Sequence, residues 1–265
     1  MGELRLQSQS EKKGKLYIVG IGPGSVEQLT VHARDVILNA DYVLGNDTYL
    51  DQIADLLTTQ NVYRSSMGLE VDRAQEAVKL AKDNIAVMVS GGDANVYGMA
   101  GIVIEVAESN NLDVDIEVVP GVTAMLAAAS VLGAPVVVDA ATVSLSDLLT
   151  PWEVIEKRLA AAAGADFIIS LYNPKSRQRK SNFERAIEII RKHRDDSVPV
   201  GLVKNALRGE EQEYIVTTLG EVLEYNDWVD MRTAILICNG DSRIWNSPNG
   251  ERIITPRGYH RKYEY

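Results

Sequence analysis

Three short segments hold the residues most capable of chemistry: GIGPGS at Gly20–Ser25, SGGDANVYG at Ser90–Gly98 and PGVTA at Pro120–Ala124, each placed after an apolar run. Glycine tolerates positive φ and lets a ligand come close to main-chain polar groups, so turns of this kind can hold a small molecule. A dinucleotide is excluded by spacing. Its fingerprint is G-x-G-x-x-G, whereas the first segment has Gly20, Gly22 and Gly24, with Pro23 between the last two. Proline has no N–H to offer a pyrophosphate. The acid expected near the end of the second strand is also misplaced, because Asp41 precedes the apolar run Tyr42–Leu44. Nothing in the chain matches the phosphate-binding pattern G-x-x-x-x-G-K-S/T. A single glycine turn needs bind nothing. Three of them at the carboxyl ends of strands in one open α/β sheet would share the rim where ligands bind. Tyr97 either packs under its loop or touches that ligand.

Metal and thiol chemistry have little support. His32, His193 and His260 are widely separated, with no pair at the i, i+4 spacing of a helical metal site. They read as solvated or locally bonded, and a metal would enter only as part of a substrate. Cys238 is the sole cysteine, which excludes an internal disulfide and a site built from several thiolates. A formal charge of -10 sets nucleic acid and anionic membranes aside as partners. No apolar stretch is long enough to span a bilayer and the first residues lack a secretory signal, so a cytoplasmic protein is expected.

The elements that would position these segments follow from periodicity. With 265 residues, 46% of them hydrophobic, the chain can build one large domain or two modest ones. Leu16–Val19, Tyr42–Leu44, Val62–Tyr63, Ile85–Val89 and Ile116–Val119 read as strands. Helical stretches separate them at Thr30–Ala40, Leu50–Leu57, Val71–Lys82 and Gly101–Ser109, and Thr123–Leu132 follows the last. Such alternation predicts a mainly parallel sheet with helices on both faces. Helical periodicity lapses over Gly133–Ser146, which places a boundary near Val138. The expected organisation is a tail at 1–13, an N-terminal α/β domain at 14–138 and a C-terminal α/β domain at 139–259. In the second domain, helices are expected at Pro151–Ala163, Phe183–His193 and Leu219–Tyr225. Strands are expected at Phe167–Leu171, Val200–Lys204, Tyr214–Thr217 and Ala234–Cys238. A short turn before Tyr214 demands antiparallel pairing and hence a mixed sheet.

Taken in order, GIGPGSVEQLT, SGGDANVYGMAG, VVPGVTA, SLSD, LYNP and VKNA resemble the tetrapyrrole methylases, which use S-adenosylmethionine on corrin precursors. The resemblance runs from Lys15 to Tyr259 and extends to SLSDLLTPWEVIEKRL, LYNPKSRQRK, VDMRTAILICN and IITPRGY. It implies two α/β domains, usually in a homodimer, with the active site in the cleft between them. It also implies methylation at C17, with ring contraction, of a precorrin-3B or cobalt-factor III type macrocycle in cobalamin biosynthesis. Other carbons of the macrocycle, diphthine, ribosomal RNA, or a catalytically silent cofactor-binding role are the alternatives.

Carried over by position, the resemblance gives the cofactor Pro23, Gly91, Gly92, Asp93 and Val96, then Thr123 and Ala124, with Asn173 and Ala206 from the second domain. Glycines and small residues suit a donor that carries no phosphate and needs close main-chain polar groups. The implied acceptor has many carboxylate arms, which guanidinium and ammonium groups can hold. Lys175, Arg177, Arg179 and Lys180 share one loop, and Arg208 follows Ala206. Lys175, Arg177, Lys180 and Arg208 are therefore the substrate candidates. Asp47, Asp139 and Asp147 are the candidate proton acceptors. VVVDAA at Val136–Ala141 lacks the histidine expected beside its aspartate, so catalytic residues stay unassigned and no protein-bound metal is expected.

Overall fold

A computed structural model of the chain describes residues 14–264; the expected tail at 1–13 lies outside the described residues. The chain forms two compact units. One comprises the residues up to Gly22 together with Val26–Gly121, and the other comprises Pro23–Ser25 together with the residues from Val122 onward.

In the first unit, β1 (Lys15–Gly20), β2 (Tyr42–Asn46), β3 (Asn61–Ser65), β4 (Ile85–Ser90) and β5 (Asp115–Val119) form a sheet in the order β3-β2-β4-β1-β5. Every pairing in it is parallel. The strands read as continuous apolar runs because both faces are covered. Leu16, Ile18, Ala86 and Met88 pack with α3 (Glu70–Leu80) and α4 (Ala100–Ser109). The alternate residues Val19, Val87 and Val89 pack with α1 (Val31–Leu38) and α2 (Asp47–Gln52). Thr30 starts α1 as an N-cap, its Oγ1 accepting from Ala33 N at 3.1 Å, and Asn46 does the same for α2, with Oδ1 accepting from Tyr49 N at 2.9 Å. The helix expected over Leu50–Leu57 is instead α2 followed by a 3-10 turn at Ala54–Leu56.

The second unit begins with α5 (Ala124–Leu132), followed by the short β6 (Gly133–Ala134). Its main sheet contains β7 (Ala140–Ser144), β8 (Ile168–Tyr172), β9 (Pro199–Lys204), β10 (Glu213–Thr218) and β11 (Thr233–Ile237), in the order β10-β9-β11-β8-β7. Only β7 and β8 run parallel, so the sheet is mixed as expected, with β10 turning back on β9. α6 (Trp152–Gly164) and α7 (Asn182–Arg191) cover one face, through Leu159, Phe183 and Ile187 against Val200, Leu202 and Ile235. α5 covers the other, its Ala128 and Leu132 lying in one cluster with Val203 and Leu236. That packing explains why the unit division at Gly121 and Val122 precedes the Val138 boundary expected from periodicity. The AMLAAASVL helix follows the first sheet in sequence but buries itself on the second. A hairpin of β12 (Arg243–Ser247) and β13 (Gly250–Ile254), which pairs with β6, was not anticipated, and the helix expected over Leu219–Tyr225 shrinks to a 3-10 turn at Val222–Tyr225.

One buried charged side chain anchors the second unit. Arg194, just after α7, donates to Cys238 O at 2.6 Å, to Ala162 O at 3.2 Å, and to Phe167 O. It thus gathers the end of α6 and the chain beside β8 and β11, and burial lowers its pKa. Cys238 itself is buried, and burial pushes its thiol up to about 12. A thiol reagent at about pH 8 should leave the native protein unmodified and label it only on unfolding. Labelling of the folded protein at the rate of a free thiol would contradict this burial.

Candidate functional site

The first unit brings two of the glycine segments together. β1 pairs with both β4 and β5, with Gly20 opposite Ser90 and Val19 opposite Val119, so the strands end level. Beyond them Gly22 and Gly92 form an antiparallel bridge, Gly92 N donating to Gly22 O at 2.7 Å and Gly22 N to Gly92 O at 3.0 Å. The approach is tight enough that a Cβ on Gly121 would lie 2.3 Å from Gly92 O and 2.7 Å from Gly20 O. Main chain packs on main chain here, and the glycines serve that packing first.

Asp93 completes the arrangement. Its Oδ2 accepts from Gly121 N at 2.9 Å and its Oδ1 from Asn95 N at 2.9 Å, so one carboxylate ties the β4 loop to the β5 loop. Asp93→Asn keeps one acceptor and turns an NH2 toward one of those N–H donors. It should destabilise the first unit by about 2 kcal/mol, read as a lower Tm; an unchanged melting transition would mean that the tie contributes nothing. Val96 is half-buried in the same loop, while Gly91 lies against the Tyr49 ring, 2.4 Å from where a Cβ would stand. Tyr97 is 51% exposed with φ 54°. A non-glycine residue held at positive φ marks local strain of a kind that concentrates at binding sites.

In the second unit, the remaining candidates sit at strand ends and at the start of α5. Thr123 is the N-cap residue of α5 and Ala124 its first residue; the Thr123 hydroxyl lies 2.7 Å from the Tyr172 hydroxyl. Asn173 follows β8 at φ 50°, its Nδ2 donating to Ser144 Oγ at 3.0 Å. Ala206 follows β9, buried between Asn205 and Leu207, both also at positive φ. Pro23 accepts from Arg208 Nε at 2.7 Å through its carbonyl.

The substrate candidates separate into two kinds. Lys175 turns inward, donating to Asn226 O at 2.8 Å and Asn226 Oδ1 at 3.1 Å, and Arg208 lies along the Pro23 and Gly24 backbone. Arg179 likewise donates to Asn173 O at 3.1 Å and Ser146 Oγ at 3.2 Å. These three hold loops in place. Arg177 and Lys180 are exposed. Sequence reading did not assign Tyr172 or the anchoring segment at Asn226, whose partners lie tens of residues away and leave no local signal. Among the proton-acceptor candidates, Asp139 and Asp147 are exposed, and Asp47 at the start of α2 is 3.6 Å from Arg64. His32 is locally bonded, its Nε2 3.0 Å from Glu117 Oε1.

The donor set can be tested against the cofactor that the sequence implies. A carboxylate at the rim, braced by main-chain N–H groups, opposes a pyrophosphate and favours a cation such as a sulfonium. Pro23 contributes a carbonyl and no N–H. The residues present therefore fit S-adenosylmethionine and do not fit a dinucleotide.

With this fold and these loops, the chain belongs to the Tetrapyrrole (Corrin/Porphyrin) Methylases, whose family model matches residues 15–223. Within the family it is 45% identical, over 95% of its length, to the "Cobalamin biosynthesis protein CbiHC" of Archaeoglobus fulgidus, of which it covers 54%. The chain thus spans about half the length of that curated relative. It is 41% identical to the "Probable cobalt-factor III C(17)-methyltransferase" of Salmonella typhimurium, over 92% of this chain and 99% of that one. Among solved structures, "the methyltransferase CobJ" superposes with a TM-score of 0.85 at 32% identity, covering 92% of this chain and all of that one. No helix among the described residues is long and apolar enough to cross a membrane.

Proposed function

We propose that this chain transfers a methyl group from S-adenosylmethionine to C17 of a precorrin-3B or cobalt-factor III type tetrapyrrole, with ring contraction, in cobalamin biosynthesis. The observation that carries this reading is the near-complete overlap with the Salmonella relative named for C17 methylation. When bound, the donor supplies an electrophilic methyl on a sulfonium centre.

The chain's own residues contribute binding and orientation, which in well-oriented systems can contribute roughly 7 to 11 kcal/mol. In this reading Gly91, Gly92, Asp93 and Val96 of the first unit hold the donor. In the second unit, Pro23, Thr123, Ala124, Asn173 and Ala206 do so. Lys175, Arg177, Lys180 and Arg208 bind carboxylate arms of the macrocycle, and Arg179 keeps the loop between them in shape. Any cobalt arrives in the substrate. A cytoplasmic homodimer, without nucleic acid or membrane as partner, completes the proposal, and sedimentation would test the dimer.

Calorimetry with S-adenosylhomocysteine, followed by turnover on cobalt-free and cobalt-containing macrocycles, tests the function. Heat with the first and a new product absorbance spectrum carrying a C17 methyl are expected. No heat would reject the donor. Heat without turnover would favour a silent binding protein, and a methyl found elsewhere would favour another specificity within the family.

A further inference from the structure

We propose that Tyr172 is a positioning residue for the methyl donor: its phenol takes over the capping of α5 and thereby holds the Thr123 hydroxyl available to hydrogen-bond the ligand. The inference rests on the reading of Thr123 as part of the donor site.

The cap of α5 differs from those of α1 and α2. Thr30 and Asn46, the N-cap residues of α1 and α2, use their own side chains to accept a helix N–H, as such residues ordinarily do. Thr123 occupies the same position on α5, with extended backbone at φ -70° and ψ 154°, yet its side chain accepts nothing from the helix. The cap comes instead from β8, where the Tyr172 hydroxyl accepts from Met125 N at 2.9 Å. The same oxygen lies 2.7 Å from Thr123 Oγ1. A helix that needed only a cap could have used the threonine already in place.

Proton accounting gives this exchange a chemical sense. A hydroxyl has one proton to donate and two lone pairs, and a phenol is a stronger proton donor than an aliphatic alcohol. With one lone pair of the phenol engaged by Met125 N, the pair with Thr123 Oγ1 can form with either hydroxyl as donor. Either way Thr123 Oγ1 is held at the phenol and keeps a proton or a lone pair unspent on the helix. The half-buried Thr123 therefore presents that hydroxyl to a polar atom of the adenosyl or methionyl part of the ligand. Capping by Thr123 itself would have directed its oxygen into the helix.

Tyr172→Phe keeps the ring and removes the hydroxyl; Thr123→Val removes the threonine hydroxyl, and Thr123→Ser keeps one. Titration with S-adenosylhomocysteine should show Tyr172→Phe and Thr123→Val each weakening binding by about tenfold. The double variant should be no weaker than the worse single one, and Thr123→Ser should bind within about twofold of the unaltered protein. KM for the donor should rise while kcat at saturating donor stays near its starting value. A lower Tm with unchanged affinity in Tyr172→Phe would show a purely structural cap and overturn the inference, as would independent, multiplying effects of the two changes. If Tyr172→Phe does not fold, equal affinity of Thr123→Val and Thr123→Ser would overturn it. Absence of binding by the unaltered protein would remove the donor reading itself, and this inference with it.

Discussion

Replacing Gly121 with alanine should weaken S-adenosylhomocysteine binding by about 100-fold, the scale of loss that follows when binding groups shift by roughly an ångström. The new methyl would stand 2.3 Å from Gly92 O and 2.7 Å from both C and O of Gly20. All three atoms are main chain, so no side chain can rotate away to relieve the contact. The β1, β4 and β5 loops must separate, and with them the residues assigned to the donor. Gly101→Ala is the matched control, since a Cβ there meets nothing within 4 Å and Gly101 lies inside α4. It should bind normally and gain up to about 1 kcal/mol of stability. Equal affinity in both variants would show that the glycine packing has no part in the site.

Arg194→Met should lower the stability of the second unit by about 3 kcal/mol, because hydrogen bonds from a charged donor to the main-chain carbonyls of Cys238, Ala162 and Phe167 are lost. For a unit of this size that corresponds to a fall in Tm of roughly 6 to 12 °C. Differential scanning calorimetry would show the second unit's transition moving down. The first unit's transition should stay in place, because none of the Arg194 partners at Ala162, Ala163, Phe167 and Cys238 belongs to it. No change in either transition would mean that solvent replaces the guanidinium at little cost.

The parts of the fold that could be read from sequence are those governed by nearest neighbours. Thr30 before VHARDVIL marks the start of α1, and the unbroken apolar run at Ile85–Val89 marks a strand covered on both faces. The turn into Tyr214 requires an antiparallel strand, and the sheet supplies one. The β12–β13 hairpin carried a legible signal in Asn249–Gly250, with Gly250 at φ 96°, but each of its strands, RIWNS and GERII, holds only two β-branched or aromatic residues, side by side and without alternation. The placement of α5 was not legible, because a helix apolar at every position but Ser130 shows no preference between two sheets. Side-chain roles were the least accessible. The charges of Lys175 and Arg208 were visible, while the carbonyls at Asn226 and Pro23 to which they donate were not.

Asp93 fastens its own loop and the β5 loop at once, and the Gly22–Gly92 bridge links the β1 loop to the same body. Chain entropy at this rim is therefore surrendered when the protein folds and not when the ligand arrives. Association should then proceed in a single kinetic phase with little ordering of the first unit, and hydrogen exchange at Gly92 and Gly121 should already be slow in the ligand-free protein.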